Sequence, residues 1–318
     1  MSKLLVLYNP DHINHFWQSH VERPERVVSL LEGLSFALSS LHFGKVYFEN
    51  EKLKVFFNKD LIVLEDIENF LYLAHEKDYV SYIKTICMEK KLGFLDLDTY
   101  FTSYTYKVAV EAVGANIISY YLLKDYKYIF NVVRPPGHHA TKNKAMGFCI
   151  FNNIATLAKF LLKENIRKIF IIDFDAHHGN GTQEIVYNDR DIYYFSTHFY
   201  PGYPGTGLKD ENNEHIFNVP VDPDSSDEVF FNIYGNYLES LFESCKPEII
   251  LVSAGFDIHE LDPITPLKVS YKGIEFILEK IKNLAEKYNL KVIFSLEGGY
   301  NLDVLKICGK IFGEIFKS

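Results

Sequence analysis

The sequence predicts an α/β fold in which helices cover both faces of a mostly parallel central sheet. Short apolar runs of strand length alternate with longer segments of helical periodicity over most of the 318 residues. Hydrophobic residues make up 47% of the chain and aromatic residues 15%, enough to fill a large core. Several apolar runs end in polar residues beside glycine, which is typical of strands at the ligand-binding edge of a parallel sheet.

The predicted strands and helices follow one another in this alternating order. Strand-like runs lie near residues 4–8, 128–133, 168–174, 192–197, 215–221, 248–253 and 291–296. Helical periodicity predicts helices over Pro24–Leu41, Thr105–Leu123, Asn153–Lys163, Val229–Ser244, Lys272–Tyr288 and Asp303–Phe316. Residues 52–104 are less regular, and we expect them to form helices and loops around a pocket. No Pro/Ser-rich linker or repeat divides the chain, so we predict a single domain over residues 1–318.

Composition narrows the classes of function and the location. The chain has 33 Lys and Arg against 42 Asp and Glu, and the net charge of −9 argues against binding to nucleic acid or anionic membranes. The four cysteines are dispersed without metal or disulfide spacing, which indicates a reducing compartment. The first apolar run is too short for a signal peptide, and none reaches membrane-spanning length. We therefore expect a cytoplasmic protein.

The predicted strand at residues 168–174 runs directly into a cluster of carboxylates and imidazoles. Asp173, Asp175, His177 and His178 follow its apolar residues. Burying charge costs several kcal/mol unless a partner or a metal compensates. Because side chains two residues apart share a face of an extended chain, Asp175 and His177 can converge on one point. This cluster therefore predicts a metal site.

Three other predicted strands end in polar residues flanked by glycine. These segments are residues 134–139 together with 147–149, residues 253–257, and residues 297–300. Open parallel sheets bind ligands outside the carboxyl ends of their strands. We therefore expect all four strand ends to meet in one pocket.

These motifs resemble the zinc-dependent histone deacetylase family, which includes acetoin-utilization proteins and acetylpolyamine amidohydrolases. The resemblance runs from about His15 to Tyr300 and begins at His20-Val-Glu-Arg-Pro-Glu-Arg26, where Val21 replaces the proline of the family signature. It implies a three-layer α/β/α fold of the arginase/deacetylase type. It also implies an enzyme that hydrolyses the acetyl amides of primary amines.

The resemblance implies that Asp175, His177 and Asp257 bind a catalytic zinc ion and leave an open position for water and substrate. This oxygen-rich set is also compatible with Fe²⁺ or Co²⁺. Two-metal ureohydrolases have a similar fold, but they carry second-metal acids at the positions of Gly179 and Gly255. We therefore predict a mononuclear site.

The resemblance also assigns the catalytic residues. His139 matches the general base and acid, and His138 matches its electrostatic partner, which Asp173 orients. Family members often pair the second histidine with aspartate, whereas here Asn180 pairs with His139, which resembles the class II branch. Tyr300 matches the tyrosine that donates a hydrogen bond to the substrate carbonyl.

Residues that match the family's substrate channel lie in three segments. Gly147 and Phe148 match one wall of the acyl-lysine tunnel, and Tyr203 matches the other, where phenylalanine is usual. Asp98 resembles the rim aspartate that holds the substrate backbone. Polyamine-specific relatives have a gatekeeper glutamate where this chain has Ile264.

Further matches concern supporting residues rather than reacting groups. Ser196, with the backbone of Asp173, Asp175, His177 and Thr197, matches a structural monovalent-cation site that usually holds K⁺. Arg26 matches an arginine buried near the base of the pocket, and His178 is expected behind the metal ligands.

The predicted function is removal of acetyl groups from N-acetylated primary amines, with acetyl-lysine of proteins as the favoured substrate. A deacylase of small acetylated amines such as acetylpolyamines shares every catalytic residue and remains an alternative. A non-catalytic acyl-lysine binding module is less favoured, because the sequence retains the metal ligands and Tyr300. The sequence leaves the oligomeric state open.

Overall fold

The computed structural model describes residues 4–37, 42–57 and 60–317. The strands in these ranges are β1 (Leu4–Tyr8), β2 (His42–Glu49), β3 (Lys52–Phe57), β4 (Asp60–Leu64), β5 (Leu92–Phe94), β6 (Tyr100–Thr102), β7 (Tyr128–Asn131), β8 (Ile169–Asp173), β9 (Ile192–Phe199), β10 (Ile216–Val221), β11 (Ile249–Ala254) and β12 (Lys291–Leu296). The α-helices are α1 (Glu25–Ala37), α2 (Ile67–Leu71), α3 (Lys77–Glu89), α4 (Thr105–Leu122), α5 (Asn153–Lys163), α6 (Asn180–Val186), α7 (Asp227–Asn232), α8 (Leu238–Cys245), α9 (Tyr271–Lys287) and α10 (Leu302–Phe316).

Ten of these strands form one sheet in the order β10-β9-β8-β11-β12-β7-β1-β2-β3-β4. All pairs from β10 to β2 are parallel, and β3 and β4 extend the sheet in antiparallel pairing. The last strand in sequence, β12, lies in the interior of the sheet between β11 and β7. Strands β5 and β6 form a separate two-stranded hairpin.

The sheet is packed on both faces, which gives the three layers that the sequence predicts. One face contacts a cluster that includes apolar residues of α4 and α5, and the other contacts a cluster from α1, α9 and α10. The central strands β7, β8 and β11 are buried along their whole length. Helices α1 and α10 cross closely at Gly33 and Gly309, where an added Cβ atom would overlap the backbone of the facing helix.

All seven predicted strands are present, and the predicted mostly parallel α/β fold is confirmed. Two predicted helices differ in extent. The first ends at Ala37, and the remaining predicted residues 38–41 lie outside the described ranges. The helix predicted over Val229–Ser244 is interrupted by a π-helical turn at Ile233–Tyr237.

The prediction for residues 52–104 was wrong in part. Besides helices and loops, this segment contains β3 and β4, which pair with each other in the main sheet, and the β5–β6 hairpin. The unpredicted β2 precedes it. Strands β2, β3 and β4 lie toward one end of the sheet, and β5 and β6 have only three residues each, so all of them lack the long, fully buried run of the central strands. No helix in the described ranges is long and apolar enough to cross a membrane.

Candidate active site

The three predicted metal ligands lie together beyond the carboxyl ends of two adjacent strands. Asp175 and His177 follow β8, and Asp257 follows β11. The Nδ1 atom of His177 lies 3.1 Å from an oxygen of Asp175 and 3.1 Å from an oxygen of Asp257. One ligand atom from each residue lies within 4.8 Å of the others, and all three residues are buried. This spacing suits a single metal ion.

Electrostatics favour a cation at this position. Burial opposes charge on His177, yet the neighbouring carboxylates Asp175 and Asp257 raise its pKa to about 10. Burial and the charge of Asp175 raise the pKa of Asp257 to about 6. Two buried carboxylates in contact therefore need a shared positive charge, either a proton on the imidazole or a metal ion.

The surrounding backbone fixes the two carboxylates and leaves no space for further acids. The N–H of Gly298 donates to Asp175 at 2.7 Å, and the N–H of Ala176 donates to Asp257 at 2.9 Å. A Cβ atom at Gly255 would overlap the Asp175 carboxylate, and one at Gly179 would overlap that of Asp173. The second-metal acids of ureohydrolases therefore have no room at these positions.

The paired histidines follow β7 and have different environments. His138 Nδ1 lies 3.1 Å from Asp173, and His139 Nδ1 lies 2.8 Å from the side-chain oxygen of Asn180. Despite burial, the carboxylates Asp175 and Asp173 raise the pKa of His138 to about 10. Burial, together with the charges of His138 and His177, holds the pKa of His139 well below its usual value.

These environments leave His138 charged and His139 neutral near pH 7. Because Asn180 presents its oxygen, Nδ1 of His139 carries the proton and Nε2 has a free lone pair. The two imidazole rings lie 4.0 Å apart, and the ring of His139 lies 5.9 Å from that of His177. His139 is therefore the member of the pair that can accept a proton beside the metal ligands.

A buried carboxylate that the sequence leaves without a role holds the histidine loop. Glu297 accepts the backbone N–H of Gly137 at 2.6 Å and that of His138 at 3.0 Å. Ser253 donates its hydroxyl to the other oxygen at 3.3 Å. Its place after β12 was visible in the sequence, but the contact spans 160 residues and had no local signal.

Tyr300 follows the same strand end and is almost fully buried, with 8% of its surface exposed. Its ring lies 4.8 Å from the Arg26 guanidinium and 5.7 Å from the ring of Phe148. Burial raises the pKa of Tyr300 well above its ordinary value, so the phenol keeps its proton as a donor. Its backbone N–H donates to Asp262 at 2.7 Å.

The same combination of sequence and fold occurs in known proteins. The model of the histone deacetylase domain matches residues 20–314 of the chain. The chain belongs to the histone deacetylase family.

Relatives within this family include archaeal and plant proteins. The "Probable deacetylase" of Archaeoglobus fulgidus is 34% identical over 308 residues, which cover 94% of this chain and 81% of the relative. "Histone deacetylase 14, chloroplastic" of Arabidopsis thaliana is 33% identical over 92% of this chain and 72% of its own length. The crystal structure of the HDA15 HD domain superposes with a TM-score of 0.82 at 27% identity, covering 97% of this chain and 89% of that one. The predicted family, fold and deacetylase enzyme class are confirmed.

In this histone deacetylase-family enzyme, aromatic side chains flank the paired histidines. Gly147 and Phe148 both have left-handed backbones, with φ of +54° and +68°. A Cβ atom at Gly147 would overlap the ring of His139. The ring of Tyr203 lies 5.1 Å from that of His139 and is partly exposed. The predicted tunnel residues Phe148 and Tyr203 thus lie beside Tyr300 and His139, respectively.

The predicted rim residues lie on two loops. Asp98 is exposed, and its backbone oxygen lies 3.0 Å from Nε2 of His20. Asp96 shapes this loop by accepting the N–H groups of Asp98 and Thr99 at 3.0 and 2.6 Å. Ile264 is 36% exposed on the loop that follows the candidate metal ligand Asp257.

The residues of the predicted K⁺ site are only partly brought together. Asp173 and Ser196 are paired across β8 and β9. The Ser196 hydroxyl lies 2.9 Å from His198, whereas the Thr197 hydroxyl contacts Tyr234 at 2.8 Å. The Thr197 side chain therefore lies away from Asp173, which leaves its backbone as the group available to a cation there.

Proposed function

We propose that this protein is a zinc-dependent amidohydrolase that removes acetyl groups from N-acetylated primary amines, most favourably acetyl-lysine of proteins. The observation that carries the proposal is a neutral imidazole, His139, whose ring centre lies 5.9 Å from that of the metal-ligand candidate His177. A base and a cation site at this separation suit attack by a water molecule on an amide carbonyl.

The residues at the cation site fit zinc. Asp175, His177 and Asp257 supply one nitrogen and two carboxylate donors, a set that leaves coordination positions open. A zinc ion held there would act as a Lewis acid toward the substrate carbonyl and the attacking water. The same donors accept Fe²⁺ or Co²⁺, and the pairing of Asp173 with Ser196 supports a separate structural K⁺.

Proton transfer is assigned to His139. Its free Nε2 takes a proton from the attacking water, while Asn180 holds Nδ1 and the ring orientation. His138 keeps its charge beside Asp173 and stabilises negative charge that develops nearby. His139 then returns its proton to the departing amine, which completes the amide hydrolysis.

Tyr300 and the aromatic walls are assigned to the substrate. The Tyr300 phenol, neutral at every physiological pH, donates a hydrogen bond to the carbonyl oxygen as negative charge develops there. Phe148 and Tyr203 contact the aliphatic stem, and Gly147 allows the wall to approach His139 closely. Asp98 is assigned to the peptide backbone of the substrate.

A second candidate substrate class is acetylated polyamines. The acids Asp96 and Asp98 at the rim supply negative charge near Tyr203, where a distal ammonium group would lie. Ile264 is an apolar residue at the position of the polyamine gatekeeper, and it favours a peptide substrate instead.

We further propose that residues 1–318 form one catalytic domain that works in the cytoplasm and binds neither nucleic acid nor membranes. Four buried cysteines, none of them in a disulfide, support a reducing compartment. The net charge of −9 disfavours polyanionic partners.

Zinc-loaded protein assayed on acetyl-lysine peptides, acetylspermidine and longer acyl-lysines tests the proposal. We expect kcat/KM to be highest on an acetyl-lysine peptide. A preference of about tenfold or more for acetylspermidine, equivalent to about 1.4 kcal/mol, would assign the enzyme to small amines instead. Absence of hydrolysis on every substrate would reject the deacetylase proposal.

A further inference from the structure

Asp262 is a buried carboxylate in the loop between the metal ligand Asp257 and helix α9. One oxygen accepts the backbone N–H of Tyr300 at 2.7 Å, and the other accepts that of Ile264 at 3.1 Å. The Asp262 side chain thus joins the backbone of Tyr300, the proposed donor to the substrate carbonyl, to the rim loop that carries Ile264. Only 7% of its surface is exposed, so water contributes little to satisfying these backbone donors.

The peptide bond between Gly299 and Tyr300 is held at both polar atoms by buried side chains. Its oxygen accepts from Nε of Arg26 at 2.6 Å, and its N–H donates to Asp262. The bond from the Arg26 guanidinium is charge-assisted, and hydrogen bonds of that kind are about twice as strong as those between neutral groups. The positive φ of Gly299, +113°, puts the chain in a turn just before the tyrosine. The orientation of this peptide therefore sets the position of the Tyr300 Cα atom, from which the side chain with its phenol extends.

We infer that Asp262 is a positioning residue that fixes the backbone of Tyr300 and couples the phenol to the rim loop carrying Ile264. The inference rests on the proposed function, because it assigns to Tyr300 a hydrogen bond to the substrate carbonyl. Asp262 makes its two bonds to backbone donors, and no bond to a reacting atom is needed for this role.

A double-mutant cycle separates this role from ordinary loop capping. Asp262→Asn keeps the size of the side chain but places an NH₂ group against one of the two N–H donors. Because small displacements of a catalytic group cost up to about a hundredfold in rate, we expect kcat to fall by about tenfold to a hundredfold. KM and bound metal should change little. Glu260→Gln is the matched control, since it neutralises an exposed acid of the same loop.

The combined variant gives the decisive comparison. If Asp262 acts through Tyr300, Asp262→Asn with Tyr300→Phe should be no slower than Tyr300→Phe alone. Multiplication of the two losses, or loss of metal from Asp262→Asn, would overturn the inference. Asp262→Glu keeps the charge but displaces the carboxylate, and it provides the same comparison if the Asn variant does not fold.

Hydrogen exchange tests the contact without any catalytic assay. In Asp262→Asn or Asp262→Glu, the Tyr300 amide should exchange at least about tenfold faster, while strand β12 keeps its protection. Unchanged exchange at Tyr300 would show that Asp262 does not hold this amide, whatever the activity of the variant. If the variants exchange faster but the wild-type protein hydrolyses no acetyl amide, the contact between Asp262 and Tyr300 is supported and the proposed function is rejected.

Discussion

At the scale of single residues, the site gives two adjacent histidines different protonation states. His138 contacts a carboxylate and stays charged, whereas His139 contacts an amide and stays neutral. This difference in partners is the reason that we propose His139, rather than His138, as the base. The sequence predicts it through Asp173, the last residue of β8, and Asn180, the first residue of α6.

Replacing Asn180 with aspartate should reverse part of this difference. A carboxylate beside His139 stabilises its charged form and raises its pKa. The base must be deprotonated, so the acidic limb of the kcat/KM profile should move to higher pH. Asn188→Asp is the control, because Asn188 is exposed just after helix α6, which begins at Asn180. This substitution should leave the acidic limb of the profile in place. An acidic limb that stays fixed or moves to lower pH would contradict the assignment of His139 as base.

Replacing Tyr300 with phenylalanine keeps the ring that contacts Arg26 and Phe148 but removes the donor. Loss of one oxyanion donor typically lowers kcat by about 10²–10³, or roughly 3–4 kcal/mol. We expect that loss in steady-state kinetics, with metal content and unfolding midpoint unchanged. The exposed Tyr104→Phe serves as control. Retention of more than about a third of kcat would make Tyr300 a packing residue.

Replacing Asp257 with asparagine should weaken metal binding and activity together. The substitution removes one of two charged donors, so the remaining set attracts a divalent cation less strongly. Metal analysis of the wild type should give one tightly bound ion per chain, and titration of the variant should give a lower affinity. Two tightly bound ions at the wild-type site would show that the mononuclear proposal is wrong.

At the scale of elements, the central strands were predictable and the edge strands were not. Strands β7, β8 and β11 are buried on both faces, so each is a continuous apolar run. Strand β4 contains four consecutive apolar residues, but it is short and lies at the sheet edge with its side chains exposed or half-buried, and the prediction missed it. The hydrogen bond between Glu297 and Gly137 joins strand ends that are 160 residues apart in sequence, so no local sequence pattern predicts it.

The close crossing of α1 and α10 gives a prediction at this scale. A methyl group at Gly33 would overlap the backbone oxygen of Lys306, so the helices must separate. Overpacking of this kind costs about 1–3 kcal/mol, and we expect Gly33→Ala to lower the free energy of unfolding by that amount. Gly235→Ala is the matched control, because its Cβ atom would have 3.5 Å of clearance from Phe276. Equal urea midpoints for the two variants would contradict the prediction.

At the scale of the whole molecule, the active site joins the ends of four adjacent strands in the order β8, β11, β12 and β7. The large packed core on both sheet faces does not involve the ligands. The sequence therefore predicted that these strand ends lie side by side, and it predicted the fold class. The extent of the single domain stays a prediction.

Metal removal should consequently abolish activity without unfolding the protein. Without metal, His177 can hold a proton between its carboxylates, because its pKa is raised to about 10. This contribution to stability is complete below about pH 6.5, the ordinary histidine pKa, and is lost as pH rises toward 10. Chelated protein near pH 6.5 should retain its circular dichroism and recover activity with zinc. Collapse of the fold at that pH would contradict this view.

The interior position of β12 also bears on how the protein matures on the ribosome. Until this strand has been synthesised, β11 and β7 each lack one neighbouring strand. The backbone N–H and C=O groups along those two edges then have no strand to pair with. A chain in which β12 has not yet been made therefore exposes two strand edges to which other polypeptides can pair. Insertion of β12 pairs both edges and brings Tyr300, the proposed donor, to the candidate site in the same step.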